Sequence, residues 1–304
     1  MSFKLTILGS NSALPTSNRY PTAQVLEVPG RCFLIDCGEG TQIQLRRNKI
    51  NFSKIQHIFI SHLHGDHYYG LIGLLSTMNL MGIKNDVHIY AHSELKTLID
   101  PQLNFIKGEM TINPIFHPLN FKKPQTIFES KKTEVISFPV KHSIPTCGFL
   151  FREKPKVANI KKEMIKAYDI SIAQVKAIKE GADFVTDDGK IIPNNVLTIA
   201  APKPKSYAFC TDTAYHPPIA EIIKGVDLLY HESTFLEELK DLAKKTQHST
   251  AKQAAKMAIL SEAKRLLIGH FSARFKNTSY FQEEAREVFA NTEVAVEGKT
   301  YSIE

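Results

Sequence analysis

Little in this 304-residue chain suits life outside the cell or within a bilayer. It has only four cysteines, Cys32, Cys37, Cys147 and Cys210, scattered through apolar runs. A zinc knuckle needs two close pairs, so buried, reduced thiols are expected instead. No apolar stretch approaches the length needed to cross a bilayer. The opening MSFKLTILGS lacks the charged, apolar and cleavage regions of a secretory signal. No internal repeat at a solenoid period and no low-complexity tract are present. Charge is moderate too: a net +7 permits a polyanionic partner without demanding one. The expectation is a cytoplasmic protein with no membrane association.

What is present is the composition of a globular protein, 43% hydrophobic and 23% charged, with enough length for one large core. Short apolar runs bounded by Gly, Asn or Pro predict strands over 3–8, 23–28, 31–36, 56–61, 86–91, 133–142 and 147–153. Helical spacing marks 39–47, the YYGLIGLLSTMNLM run after residue 67, and a segment opening at SELKTLIDPQL. Strands resume at 205–210, 226–231 and 264–270. An amphipathic helix is expected over 248–263, with Ser249 or Thr250 as its cap. Strands alternating with helices give an α/β layered fold. Residues 154–196 break the rhythm. They are thin in large apolar side chains, and between Arg152 and Gly181 eight Lys or Arg stand against four Asp or Glu. This stretch reads as an insertion.

The densest chemistry is SHLHGDH, residues 61–67, between the strand HIFIS and the apolar helix. Four imidazoles and carboxylates in six residues cannot all be buried and satisfied without a cation. His62 and His64 lie two apart, so in an extended turn both point one way. Other histidines and aspartates sit at strand ends: His142, Asp212, His231 and His270. In an α/β sheet those ends share one edge, where ligands bind. The ligand count suffices for two ions. His62, His64 and His142 hold the first, Asp66, His67 and His270 the second, and Asp212 bridges them. Such a set suits Zn²⁺, or Mn²⁺ where oxygen ligands dominate. His57, His88, His92, His117 and His216 read as hydrogen-bonded core residues.

With HxHxDH on a strand-to-helix turn, the chain resembles the metallo-β-lactamase superfamily. The resemblance narrows further through SHLHGDHYYGLIGLL, DCGEGTQIQL (36–45), FCTDT (209–213), HEST (231–234), HST (248–250) and HFSARF (270–275). In that order they are similar to ribonuclease Z in its short form, over essentially the whole chain. The resemblance implies one αββα sandwich domain over 1–304, with an inserted tRNA-binding arm at 152–196. It implies two Zn²⁺ per subunit, a homodimer, and precursor tRNA as substrate. The reaction implied cuts one phosphodiester bond, leaving a tRNA 3′-hydroxyl and a trailer 5′-phosphate. Asp66 would orient the nucleophile and accept its proton. His231 and His248 join it as candidate catalytic residues, with Glu232 behind a histidine. Two departures are visible. The family's Gly-Pro pair is missing from DISIAQVKAIKEG, and its PxKxRN loop reads PTSNRY, residues 15–20, with Ser17 for Lys and Tyr20 for Asn. The alternative is a small-molecule hydrolase on the same fold, a phosphodiesterase or lactonase, which needs no arm.

Overall fold

The computed structural model describes residues 3–105 and 110–303. They form two compact units. The larger comprises the chain up to Arg152 and again from Lys205 onward; the smaller is Glu153–Pro204.

The larger unit contains two seven-stranded sheets. The first runs in the order β18 (Thr300–Ile303), β1 (Phe3–Gly9), β2 (Ala23–Val28), β3 (Arg31–Ile35), β4 (Ile55–Phe59), β5 (Asp86–Ala91) and β6 (Asn113–Pro118). The second runs β17 (Thr292–Val294), β16 (Leu266–Gly269), β15 (Leu228–Glu232), β14 (Ser206–Cys210), β9 (Cys147–Glu153), β8 (Thr133–Pro139) and β7 (Gln125–Glu129). Strands β3 to β6 pair in parallel, as do β14 to β17, while β18–β1, β1–β2, β2–β3, β9–β14 and β7–β8 are antiparallel.

Alternation along the strands builds three cores. On β15, Leu228 and Tyr230 enter the core between the sheets, while Leu229 faces the second sheet's helices. On β4, Phe59 points inward and Ile58 toward α1 (Thr41–Arg47) and α3 (Gly70–Leu80). Helix α4 (Glu94–Asn104) extends that outer layer. On the other side, α9 (Ala251–Leu260) and α10 (Ser279–Arg286) cover Ile268 and Phe271. Each fully buried Leu, Ile or Phe contributes about 1.5–3 kcal/mol relative to exposure. Helix α9 is shorter than expected, and its cap is Thr250, whose hydroxyl accepts from the Gln253 N–H in a reciprocal capping box.

Four strands and helix α10 were not foreseen at the chain's middle and end. Strands β6 (NPIFHP) and β7 (QTIFE) are edge strands, where Pro114 and Pro118 are tolerated but hide the pattern. Strands β17 and β18 are too short to read, and α10 lies between them and β16. All four cysteines are free and buried. Burial pushes the Cys32 thiol up to about 12, with Glu27 adding to it.

The smaller unit has its own core of Ile170, Ile178, Phe184, Ile192 and Leu197. It carries two antiparallel pairs, β10 (Asn159–Ile160) with β13 (Thr198–Ile199) and β11 (Phe184–Val185) with β12 (Ile191–Ile192). Helices α5 (Lys162–Ala167), α6 (Ile172–Lys179) and α7 (Asn194–Leu197) complete it. Ser171 and Gln174 close a capping box on α6. Lys162, Lys166 and Lys176 are exposed.

Candidate metal centre

Polar side chains gather just beyond the C-terminal ends of β3, β4, β8, β14, β15 and β16. The turn after β4 is shaped by short helix α2 (Gly65–Tyr68), with His64 extended at its start. Two glycines stand at close approach, Gly70 against backbone and Gly65 against the movable ring of exposed Tyr69. A Cβ on Gly65 would lie 2.1 Å from the Tyr69 ring, and one on Gly70 would lie 2.0 Å from the Gly38 carbonyl oxygen. The chain also adopts left-handed backbone at Asp36 (φ 55°) and His270 (φ 63°), two non-glycine residues at strand ends.

Among the described residues, His62, His64, His142 and Asp212 form one group whose ligand atoms lie within 4.8 Å of one another; Asp66, His67, Asp212 and His270 form a second. In the first, His64 Nδ1 is 3.0 Å from His62 Nε2 and 3.2 Å from His142 Nε2. Asp212 Oδ2 is 3.6 Å and 3.7 Å from the same two nitrogens. In the second, Asp212 Oδ1 lies 3.3 Å from His67 Nε2 and 3.1 Å from His270 Nε2. Asp66 Oδ2 lies 3.2 Å and 3.4 Å from them. Asp212 therefore presents one oxygen to each group.

These separations fit a divalent cation. Tetrahedral bonds of 2.0–2.1 Å place ligand atoms about 3.3 Å apart. His67 Nε2 is fully buried and makes no hydrogen bond, although two carboxylate oxygens stand close by.

The far sides of the His62, His67, His142 and His270 rings are held. His67 Nδ1 is 2.7 Å from Asp36 Oδ2. Ser61 donates its N–H and its hydroxyl to the same carboxylate, at 2.8 and 2.9 Å, and its oxygen lies 3.0 Å from His62 Nδ1. His142 Nδ1 is 3.0 Å from the carbonyl of Gln247. His270 Nδ1 is 2.9 Å from Thr234 Oγ1, which donates to Glu232 Oε2 at 2.8 Å. In both places a hydroxyl relays a carboxylate to an imidazole, leaving the opposite ring nitrogen free for a ligand bond. Asp36, Ser61 and Thr234 were not singled out from the sequence, although each lies within or beside a quoted motif.

Charge follows geometry. Burial lowers the pKa of His62 well below the usual value, with His67 adding to it, which keeps the ring neutral as a metal requires. Burial opposes charge on Asp66 and Asp212 as well, but the surrounding histidines outweigh it and hold both below the usual carboxylate range. For His67 burial is again outweighed, by Asp66, Asp212 and Asp36, and its pKa rises. That surplus of negative charge is what a cation would neutralise.

His248 stands at the rim. Glu232 Oε1 accepts from its Nδ1 at 2.9 Å and from the N–H groups of Thr213 and Ser249. Burial would lower the His248 pKa, but Glu232 prevails and pushes it up to about 9. His231 is fully buried, its Nδ1 donates to the Glu232 carbonyl at 2.7 Å, and it belongs to none of the ligand groups.

A cleft of about 720 Å³ opens over the centre, lined by Leu14, Asp66, Phe235, His248 and Arg274 among others. The Arg274 guanidinium lies 5.9 Å from the Phe235 ring centroid. Ser12 and Ala13 line it beside Leu14, and the PTSNRY loop follows them: Arg19 donates to the Phe275 carbonyl at 2.8 Å, and Tyr20 accepts from Arg47 at 2.9 Å.

Paired sheets with helices outside and a His/Asp centre at one edge define a metallo-β-lactamase fold hydrolase. The comparisons agree. A family model described as "Anti-Pycsar protein Apyc1" matches residues 3–160. The chain is 46% identical over 302 residues to Ribonuclease Z of Phocaeicola vulgatus, covering 99% of this chain and 98% of that one. It is 45% identical over 301 residues to Ribonuclease Z of Bacteroides thetaiotaomicron, covering 99% and 95%. The crystal structure of the short form of human tRNase Z superposes with a TM-score of 0.72 at 26% identity, covering 99% of both chains. A metallo-β-lactamase fold protein of Bacillus subtilis, at 16% identity and a TM-score of 0.69, shares the fold. The chain belongs to the ribonuclease Z family.

Proposed function

We propose that the protein is a metal-dependent endoribonuclease that removes the 3′ trailer of precursor tRNA, leaving a tRNA 3′-hydroxyl and a trailer 5′-phosphate. The observation that carries the reading is Asp212, one oxygen on each of two ligand groups at the floor of an open cleft, in a chain with full-length ribonuclease Z relatives. His62, His64 and His142 would hold one ion, Asp66, His67 and His270 the other, with Asp212 shared. The imidazole-rich set favours two Zn²⁺ per subunit, with Mn²⁺ as the next fit. Bound there, such ions supply Lewis acidity toward the phosphoryl oxygens.

The chain's own groups do the rest. Asp66, held ionised, orients the attacking water; its depressed pKa suits orientation better than retention of the proton. His248, kept protonated by Glu232 at the rim, donates to the leaving 3′-oxygen. Arg274 pairs with a backbone phosphate. The lysine-bearing unit Glu153–Pro204 serves as the tRNA-binding arm, supplying phosphate contacts and hence affinity rather than sequence choice. A homodimer acting in the cytoplasm completes the reading, in line with the family resemblance.

The test is cleavage of an end-labelled precursor tRNA by wild type, Asp66→Ala and chelated protein. A single metal-dependent cut after the discriminator base, absent in the variant, supports the reading. Rapid turnover of a small diester with no precursor cleavage would transfer the protein to the small-molecule hydrolases.

A further inference from the structure

A second groove adjoins the metal edge and is used by nothing above. His92 lies just past the C-terminal end of β5, as His62 lies past that of β4, and the two strands are parallel. The sequence placed His92 in the core; the structure leaves it half-buried, with its ring 5.2 Å from that of Phe121. These two, with Leu119, Lys122 and Pro145, border a cavity of about 580 Å³. His92 also borders a smaller cavity of about 150 Å³, with Phe116 and Lys96 on its walls. Lys96 stands 6.0 Å from the Phe116 ring centroid and is ion-paired with Asp100. Pro145 is three positions after His142, so the groove begins beside a metal-ligand loop.

Its walls are fixed. The Leu119 N–H donates to the Ala91 carbonyl at 2.9 Å, and the Lys122 N–H donates to Asn120 Oδ1 at 2.8 Å. Lys122 and Lys123 are exposed and enter no ion pair among the described residues. Neither cavity has a carboxylate among its lining residues. With Lys96 held by Asp100, Lys122 is the unpaired ammonium beside the rings, and rings beside a free lysine match unpaired nucleic acid: bases stack on rings and phosphates meet ammonium groups. A paired acceptor stem offers no free base face, so only an unpaired segment can use the rings.

We infer that the groove from Phe121 past His92 to Phe116 binds unpaired nucleotides of the RNA trailer, with Phe121 as a stacking platform and Lys122 on the backbone. The inference rests on the tRNA-processing reading and deepens it, by giving the leaving strand a place on the enzyme. A free mononucleotide shares this chemistry and is separated by the test below.

The test is a binding cycle on the full-length, metal-loaded protein. A fluorescently labelled unpaired oligoribonucleotide lacking a tRNA body is titrated against wild type, Phe121→Ala and Phe121→Trp, by anisotropy. The same is done with an oligomer made abasic along its length, and with unlabelled AMP as competitor. Loss of one stacked base corresponds to about tenfold in Kd. The expected result is that loss for Phe121→Ala, retention by Phe121→Trp, and no further loss when the abasic oligomer meets Phe121→Ala. Equal affinity of wild type and Phe121→Ala overturns the inference, as does an equal penalty on abasic and intact oligomers. Displacement by micromolar AMP would overturn it in favour of a mononucleotide site. Precursor cleavage is scored in parallel. A positive cycle without cleavage sinks the tRNA-processing reading and leaves an RNA groove; cleavage with a flat cycle sinks the groove alone.

Discussion

Thr234 is a small side chain with three appointments: Glu232, His270 and, at 3.3 Å, His248. Replacing it by Val removes the hydroxyl but keeps the shape, leaving His270 Nδ1 without its partner and Glu232 Oε2 with only the Thr234 N–H. Outer partners of metal-bound histidines are typically worth about 10–100-fold in metal affinity. Thr234→Val should therefore weaken retention of one ion by about that factor, read by metal analysis after dialysis against a graded chelator, and Thr234→Ser should restore it. Equal metal retention in Thr234→Val and wild type would remove the hydroxyl from the account. Asp36→Asn belongs to the same logic on the other side of the centre. It replaces the acceptor of His67 Nδ1 with a weaker one, and the expected outcome is lower metal occupancy with the fold intact by circular dichroism. At this scale the sequence was half legible. The cluster at 62–67 declares itself by density, because few other arrangements tolerate those groups together. The partners of its outer nitrogens are a serine, a threonine and one aspartate, types too common to stand out before the chain is folded. His231 and Glu232, adjacent in one strand, face opposite ways, so the sequence alone did not say which of them approaches His248.

At the scale of elements, strand-end position was enough to bring His62, His142, Asp212 and His270 to one edge from four distant segments. That inference needs only apolar runs and their last residues. Edge strands β6 and β7 escaped because half-exposed strands with prolines carry little alternation, and it is they that frame the groove beside His92. The packing of α3 gives a sharp prediction. Gly70 begins this helix against the Gly38 carbonyl, with no room for a methyl group. Gly70→Ala should cost stability by about 1–3 kcal/mol through overpacking, measured by urea unfolding. Because α2 and the histidine turn immediately precede it, metal content should fall in the same variant. Gly82→Ala, at the other end of the helix in open space but with φ 66°, tests strain without overpacking and should leave the metal in place.

For the whole molecule, the informative feature is where the smaller unit enters. Arg152 on β9 stands directly opposite Ser206 on β14 in an antiparallel pair, so the chain leaves the second sheet and returns to it at neighbouring positions. Replacing Glu153–Pro204 by a short turn should therefore leave the sheet closed. The expected outcome is a folded, metal-loaded protein that still hydrolyses a small diester. Its affinity for precursor tRNA should be lower and its dependence on salt shallower, since fewer phosphates are neutralised. An unchanged Kd and salt slope would deny the unit its proposed role as an arm. The sequence reading of an insertion at 152–196 rested on the lysine surplus; the compact unit spans Glu153–Pro204, and its apolar core was less visible, being spread over Ile170, Ile178, Phe184, Ile192 and Leu197 with polar residues between.

The same register sets an order of events. Pairing β9 with β14 first would have to close the loop 153–205, at an entropic cost about 2 kcal/mol above that of a four-residue turn. The smaller unit offers a shorter route: Asn159 pairs with Ile199 and Ile160 with Thr198, so once it has collapsed only two short segments remain to be drawn together. A lesion in its core, such as Leu197→Ala, should then slow the refolding of the sheet that carries Asp212, although Leu197 belongs to the other unit. The inserted segment would act as a scaffold in time before it meets any RNA.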